Sequence, residues 1–446
     1  MVNQAWKKGR ILLTSMIGVL ALTMLTLWGC GGGGGSSYDN PSLSGPAPVA
    51  TKTATPLVEA SDVKAWLDAG LVNKAPGSER VVILEVTGNT ANYTAGHIPG
   101  AISVSLTSEL TANRVEGPAE FSQMVATGAQ MDTLIKRCGI DENTTIVFTT
   151  SEAEMNSTSS TTGAITTPLW NMTRPYTTFR YWGFPKERLK VLNGGNKAWV
   201  AAAYPMTTVA PTITASTYNV TPLNTNRVKA NLRASLSDMI AAVKAGTGLI
   251  IDGRSDGVPG GTTDLVEGTK YVVFEGQMNG GKGYNYVNLL DPTTRKFKDP
   301  AVVAADMTAK GLDLTKNTIY TMCRAGNIAS ALFFYFDGYL YNDGSKNIVW
   351  YDGSWGQWGL MSTVATAKDG VLPAGSAWAT DTDGLTLTRT YDADLGRSVV
   401  DITYRLDSTV SHATATANQI EDTDKAYLSP VTTSGGGTVG GGGGGC

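Results

Sequence analysis

The chain has 446 residues, of which 42% are hydrophobic and only 16% charged, and its formal net charge is −3. That length suits roughly two to three domains, and the mild acidity argues against a nucleic-acid partner. Cys30, Cys138, Cys323 and Cys446 are far apart, form no CxxC, and are joined by only two histidines, His97 and His412; this argues against a zinc, iron–sulfur or haem site and against a dense disulfide framework, with no cofactor expected.

Residues 1–29 open with Lys7, Lys8 and Arg10, followed by a largely apolar run from Ile11 to Leu27 and then Trp28-Gly29-Cys30. A basic head, an apolar segment and a small residue describe an export signal; a plain transmembrane anchor ending at Trp28 is the alternative. The cysteine directly after Gly29 resembles a bacterial lipobox, which implies a lipid-modified Cys30 at the mature amino terminus. Gly31 after that cysteine favours the outer membrane. Each buried CH₂ of the acyl chains contributes ~0.8 kcal/mol to such an anchor. Residues 30–55, rich in Gly, Ser and Pro, read as a flexible tether.

Residues 56–210 alternate helical and strand patterns. Ser61-Asp-Val-Lys-Ala-Trp66-Leu67 reads as a capped helix start. Val81–Val86 and Thr144–Thr149 are β-branched apolar runs. Tyr93-Thr-Ala-Gly-His97-Ile-Pro-Gly100-Ala follows the first of them and Val191-Leu-Asn-Gly-Gly195…Trp199 comes after the second. The polar stretch from Ser151 to Thr167 reads as an inserted loop, and Cys138, before Gly139, as a packing residue at a helix end. This alternation argues for an α/β parallel sheet.

Residues 225–375 repeat the pattern. Arg233 to Lys244 has helical spacing, and Gly248-Leu-Ile-Ile-Asp252-Gly-Arg254-Ser is a strand with an Asp-x-Arg ending. Thr318-Ile-Tyr-Thr-Met322 leads into Cys323-Arg324-Ala325-Gly326-Asn327-Ile328, and an apolar helix begins near Ala329. A thiol between a strand and a helix N-terminus faces backbone N–H groups and partial positive charge. These favour a thiolate and an anionic ligand. Gly326 permits the curvature and Arg324 adds a full charge. A small buried hydrophobe at a strand end is the alternative for Cys323.

Gly96-His-Ile-Pro-Gly-Ala101, Val191-Leu-Asn-Gly-Gly195…Trp199, the Cys323-Arg-x-Gly loop and Asp352-Gly-Ser-Trp355 together resemble the tandem rhodanese (thiosulfate and 3-mercaptopyruvate sulfurtransferase) family over roughly residues 60 to 365. The resemblance implies two rhodanese-like α/β domains, each a parallel sheet flanked by helices. It implies Cys323 as a nucleophile that accepts sulfane sulfur from a small anionic donor and passes it to a thiol or cyanide. The loop Thr150 to Ser160 lacks the family's cysteine, so the first half would be inactive, with His97 supporting its turn. By the same resemblance Arg174, six residues before Arg180, would reach into the other half's site and hold an anion; a surface salt bridge is the alternative. Asp252 and Arg254 would shape the pocket, or form an internal ion pair, or both. Two positions depart from the pattern. Gln277 replaces a histidine, and Ile328 removes a hydrogen-bonding side chain from the pocket.

Residues 376–430 read as a β-rich extension, with Leu385–Tyr391 and Val399–Leu406 as a hairpin, and residues 431–446 as a glycine-rich tail ending in Cys446. The expected partners are a small anionic sulfur donor, a thiol acceptor and the membrane. The alternative function is a non-catalytic chalcogen- or anion-binding lipoprotein of an envelope redox assembly. It resembles proteins found beside outer-membrane cytochromes or selenite- and tellurite-reduction systems.

Overall fold

The computed structural model describes residues 55–116, 119–220, 230–256, 278, 280–361, 388–392, 397–401 and 418–429. Cys30, Gln277, the segment 257–277 and Cys446 lie outside the described residues.

The first half runs β1 (Leu57–Val58), α1 (Ala60–Asp68), β2 (Arg80–Thr87), α2 (Thr90–Ala95), β3 (Ile102–Ser105), β4 (Thr111–Glu116), β5 (Ala119–Val125), α3 (Gly128–Arg137), β6 (Thr144–Thr149), α4 (Glu152–Met155), α5 (Trp170–Tyr181), β7 (Leu189–Leu192) and α6 (Gly195–Ala201). Its sheet has the order β1-β7-β6-β2-β3, all parallel. Every residue of β2 and β6 is buried, because a parallel sheet is covered on both faces. Val82, Leu84 and Val86 enter one apolar cluster, while Val81 and Ile83 enter another across the sheet.

The second half runs α7 (Leu236–Ala245), β8 (Leu249–Asp252), β9 (Lys282–Gly283), α8 (Pro300–Ala309), β10 (Thr318–Met322), α9 (Asn327–Phe334), β11 (Asn347–Trp350) and α10 (Ser354–Met361). Its sheet order, β11-β10-β8-β9, is parallel and matches β7-β6-β2-β3 of the first half. In place of β1, a single parallel bridge joins Arg233 to Trp350. The fold is thus two tandem parallel sheets flanked by helices. The halves meet where α5 packs on α9. There Tyr176 meets Phe334 edge-on at 4.9 Å and the Thr173 and Ser330 hydroxyls lie 2.9 Å apart.

After α10, β12 (Thr388–Asp392) and β13 (Arg397–Asp401) pair antiparallel, at the place the alternation predicts a hairpin. The expectation of a β-rich extension over 376–430 is corrected at its end, where the chain forms a helix, α11 (Gln419–Leu428), with one buried face.

Local details sharpen several expectations. The cap of α1 is Glu59 rather than Ser61, with the Glu59 amide donating to Asp62 Oδ2 at 2.8 Å. The helix predicted from Arg233 begins only at Leu236. Ser235 caps it, and Arg233 stands before it, fully buried. His97 is buried in its turn, stacked on Tyr93 at 3.8 Å, with its ring nitrogens facing the Tyr93 and Val209 carbonyls. Cys138 is buried at the end of α3, and burial pushes its thiol up to about 12, which suits packing rather than reactivity. The loop from Ser151 to Thr167 contacts the second half, its Thr167 carbonyl accepting from Tyr286 and its Met155 carbonyl from Arg295.

Candidate active site

Strand β10 is central in its sheet, so Cys323 emerges at the carboxyl edge, where open α/β sheets bind ligands. The thiol is free and buried. Helix α9 starts at Asn327, two residues earlier than the sequence suggests, with Gly326 at φ +75° as its cap. A side chain at Gly326 would fall 2.6 Å from the Asp352 carbonyl oxygen, so glycine is required there on both counts.

Ser354 organises the loop. It adopts φ +50°, uncommon for a serine. Its hydroxyl accepts from the Cys323 and Gly326 amides, both at 3.1 Å, donates to the Tyr351 carbonyl at 2.7 Å, and lies 3.9 Å from Cys323 Sγ. The expected cradle is corrected accordingly. The Cys323 and Gly326 amides are spent on Ser354. The amides still free to face an anion are those of the rest of the loop and of the first turn of α9, which have no partner within the helix. Trp350 Nε1 donates to the Gly326 carbonyl, and the Trp355 and Gly356 amides close on the Cys323 and Arg324 carbonyls. Arg324 and Ala325 are half-buried in this turn.

Arg174, on α5 of the first half, lies beside this loop and is wholly buried, which excludes the surface salt bridge. Its guanidinium sits 4.3 Å from the centre of the Trp350 ring, donates to the Gln123 carbonyl at 2.6 Å and reaches Asn327 Oδ1 at 3.3 Å. Burial pulls its pKa down to about 10, opposed chiefly by the Asp352 carboxylate, so it stays cationic at neutral pH. Its Nε has no acceptor among the described residues. Gln123, at φ +59° on the hairpin β4–β5, also accepts from Asn327 Nδ2 at 2.5 Å. No sequence signal marks Gln123, because its role depends on a hairpin crossing between the halves.

Asp252 and Arg254 form an internal pair, with Arg254 Nη2 at 2.6 Å and Nε at 3.0 Å from Asp252 Oδ2. The same guanidinium lies 5.2 Å from the centre of the Trp355 ring, so the pair also borders the Cys323 corner. Ile328 faces the chain at Gly253, where an added Cβ would sit 2.7 Å from its Cγ2. Its apolar side chain therefore packs where a polar one would need a partner.

Behind the loop lies a buried charge network absent from the sequence reading. Arg233 Nε pairs with Asp352 Oδ1 at 2.8 Å, and its Nη1 with Glu116 Oε1 at 3.1 Å. Asp352 Oδ2 accepts the Val125 amide at 2.9 Å, and Glu116 Oε2 accepts from Gln357 at 2.6 Å. Burial raises the Glu116 carboxyl despite Arg233.

The first half carries the same corner with different contents. Glu85 pairs with Thr149 as Asp252 pairs with Met322, so Thr150 occupies the position of Cys323. The Asn196 amide donates to the Thr150 carbonyl as the Trp355 amide does to that of Cys323. Gly195, at φ +53°, stands where Ser354 stands. Glu154 Oε2 accepts from the Thr150 and Ser151 hydroxyls at 2.8 Å, and its Oε1 from the Gly88 amide at 2.7 Å. A carboxylate of the chain itself closes this corner.

Residues 63–202 match the family model of the rhodanese-like domain. The chain is 27% identical to the sulfur carrier protein TtuD of Thermus thermophilus, over 65% of this chain and 91% of that protein. It is also 27% identical to a putative thiosulfate sulfurtransferase of Mycobacterium leprae (67% and 90% covered) and to a thiosulfate sulfurtransferase of Corynebacterium glutamicum (66% and 86%). Among solved structures, Tum1 of Saccharomyces cerevisiae aligns with a TM-score of 0.53 at 16% identity, covering 70% of this chain and 96% of that one. The anaerobic ergothioneine biosynthesis enzyme of Chlorobium limicola aligns with a TM-score of 0.52 at 17% identity, covering 71% of each; both likenesses concern the fold. The tandem α/β architecture, the domain match and these relatives together support the rhodanese family, and with it a rhodanese-type transferase.

Proposed function

We propose that the second half transfers sulfane sulfur through a persulfide on Cys323. The Cys323 thiolate attacks the outer sulfur of thiosulfate or a related donor, the donor's S–S bond breaks, and sulfite leaves with the electron pair. A thiol or cyanide then attacks the terminal sulfur of the persulfide, releasing the Cys323 thiolate. The observation that carries this reading is the buried Arg174, brought from the other half to the Cys323 loop with one donor unsatisfied. A buried cation with a spare N–H suits a small anionic donor. Asn327 and the first amides of α9 would share that load. Thiocyanate formation from thiosulfate and cyanide tests it. Wild type is expected to turn over and to carry one added sulfur on the Cys323 peptide by mass spectrometry, and Cys323→Ser to do neither. Equal inertness of the two proteins, with no adduct, sinks the reading.

The proposal extends to location. Lys7, Lys8, Arg10, the apolar run and Gly29-Cys30 support a lipid-anchored protein of the cell envelope, on the outer membrane, where redox proteins of that compartment are the candidate acceptors. Labelling with radioactive palmitate, lost in Cys30→Ser, is the expected result; label retained in that variant refutes the anchor.

A further inference from the structure

The described part of the carboxyl-terminal extension is not a peripheral ornament. Helix α11 turns one face inward, with Ile420, Glu421, Asp424 and Leu428 all buried. Burying two carboxylates on one short helix is costly unless each finds a cation. Each does, and the two cations come from different halves. Asp424 meets Arg114 of β4 at 2.8 Å and accepts from Tyr181 at 2.8 Å. Glu421 pairs with Arg233, three residues before the start of α7. Tyr427 closes the outer end, donating to Asp132 at 2.6 Å and lying over Gly128.

The two contacts approach the site differently: Arg114 also donates to the Val125 carbonyl at 3.2 Å and so touches the hairpin wall alone, whereas the Glu421 contact reaches both walls. Arg233 is shared by Glu421, Glu116 and Asp352. Asp352 holds the end of β5 through the Val125 amide, two residues past the Gln123 carbonyl that binds Arg174. Its backbone lies against Gly326, and two residues further on Ser354 carries the Cys323 and Gly326 amides. Loosening Arg233 therefore frees both walls of the site together: the hairpin end that orients Arg174 and the turn that shapes the Cys323 loop.

We propose that Glu421 is a positioning residue for sulfur transfer, acting through Arg233 and Asp352 on the Cys323 loop and the Arg174 side chain. This rests on Cys323 being the nucleophile, and Cys323→Ser is the separate control for that. In the full-length protein, Glu421→Gln keeps the shape and removes the charge. Asp424→Asn does the same on the same helix, but at a residue that contacts Arg114 and Tyr181. Glu421→Gln is expected to lower kcat on the order of tenfold, as small misplacements at a site do, at a temperature where the protein stays folded. Asp424→Asn should keep kcat within about twofold while lowering the melting temperature at least as much. Equal effects of the two variants on kcat, or an effect of Glu421→Gln on melting alone, overturn the proposal and make α11 a plain brace. Should Glu421→Gln fail to fold, amide hydrogen exchange on wild type in rising, sub-denaturing urea decides. The proposal requires residues 419–428 and 323–326 to lose protection in one step; loss at α11 with the loop still protected refutes it.

Discussion

The two halves present the same corner of backbone at the end of the central strand and fill it in opposite ways. After β6 the chain places Thr150, and Glu154 of the same loop binds the Thr150 and Ser151 hydroxyls and the Gly88 amide. After β10 it places Cys323, and no carboxylate of that loop turns inward; a cation from the opposite half does instead. The positive-φ residue behind the corner is Gly195 in one half and Ser354 in the other. Serine is strained there, and the strain persists where its hydroxyl ties two loop amides together. A duplicated fold supplies the corner; the sign of the charge brought into it decides whether the corner suits an anion.

The largest expected effect tests that contrast directly. Cys323→Ser should abolish sulfur transfer in the thiosulfate–cyanide assay, and Thr150→Cys should not restore it, because Glu154 repels an anion from that corner. Activity in a Cys323→Ser, Thr150→Cys protein would show the first corner to be open.

Next comes a stability effect in the first half. Burial pushes the Glu85 carboxyl up to about 7, against the Asn196 hydrogen bond and with Glu154 adding to the rise. Its folded-state value lies above the ordinary 4.5, so the folded protein prefers the protonated form. That contribution is complete below pH ~4.5 and is lost as the pH climbs through ~7. Glu85→Gln should remove the loss and stabilise the protein by up to about 3 kcal/mol at pH 8, with little change at pH 5. Urea unfolding at both pH values measures it; an equal shift at both would contradict the buried-carboxyl account.

Arg174→Lys keeps the charge and loses the planar fork that spans Gln123, Asn327 and the Trp350 face. A fall in kcat/KM on the order of a hundredfold is expected, mostly in KM for thiosulfate. An unchanged KM would remove Arg174 from donor binding.

The smallest effect comes from giving the second corner the residue of the first. Ser354→Gly relieves the positive φ but leaves the Cys323 and Gly326 amides without their acceptor, for a net loss of about 1 kcal/mol. Thermal unfolding would show it, and no loss would mean that the hydroxyl ties are dispensable.

Much of the site was legible from sequence because it is local. A strand, a cysteine, a glycine and an apolar helix lie within a few positions, and Asp252 and Arg254 pair across a single residue. What escaped is long-range. Arg233 reads as the head of an amphipathic helix, since nothing nearby shows that Glu116, Asp352 and Glu421 will converge on it. Gln123 sits in an ordinary polar run, and only the hairpin's crossing to the other half gives it work. Asp352-Gly-Ser-Trp355 was visible as a motif, yet the role of Ser354 depends on where its hydroxyl ends up.

The Arg114–Asp424 contact joins positions 310 apart in the chain. Closing so long a loop costs conformational entropy before any contact rewards it, although that cost grows only slowly with length. Most of the first half's sheet can form from neighbouring segments, but the surface around Arg114, Tyr181 and Asp132 cannot be finished until residues 419–428 are available. During synthesis the half made first therefore stays incomplete until a segment some 310 residues further on has emerged, and the step that completes it should be slow and sensitive to removal of residues 419–428.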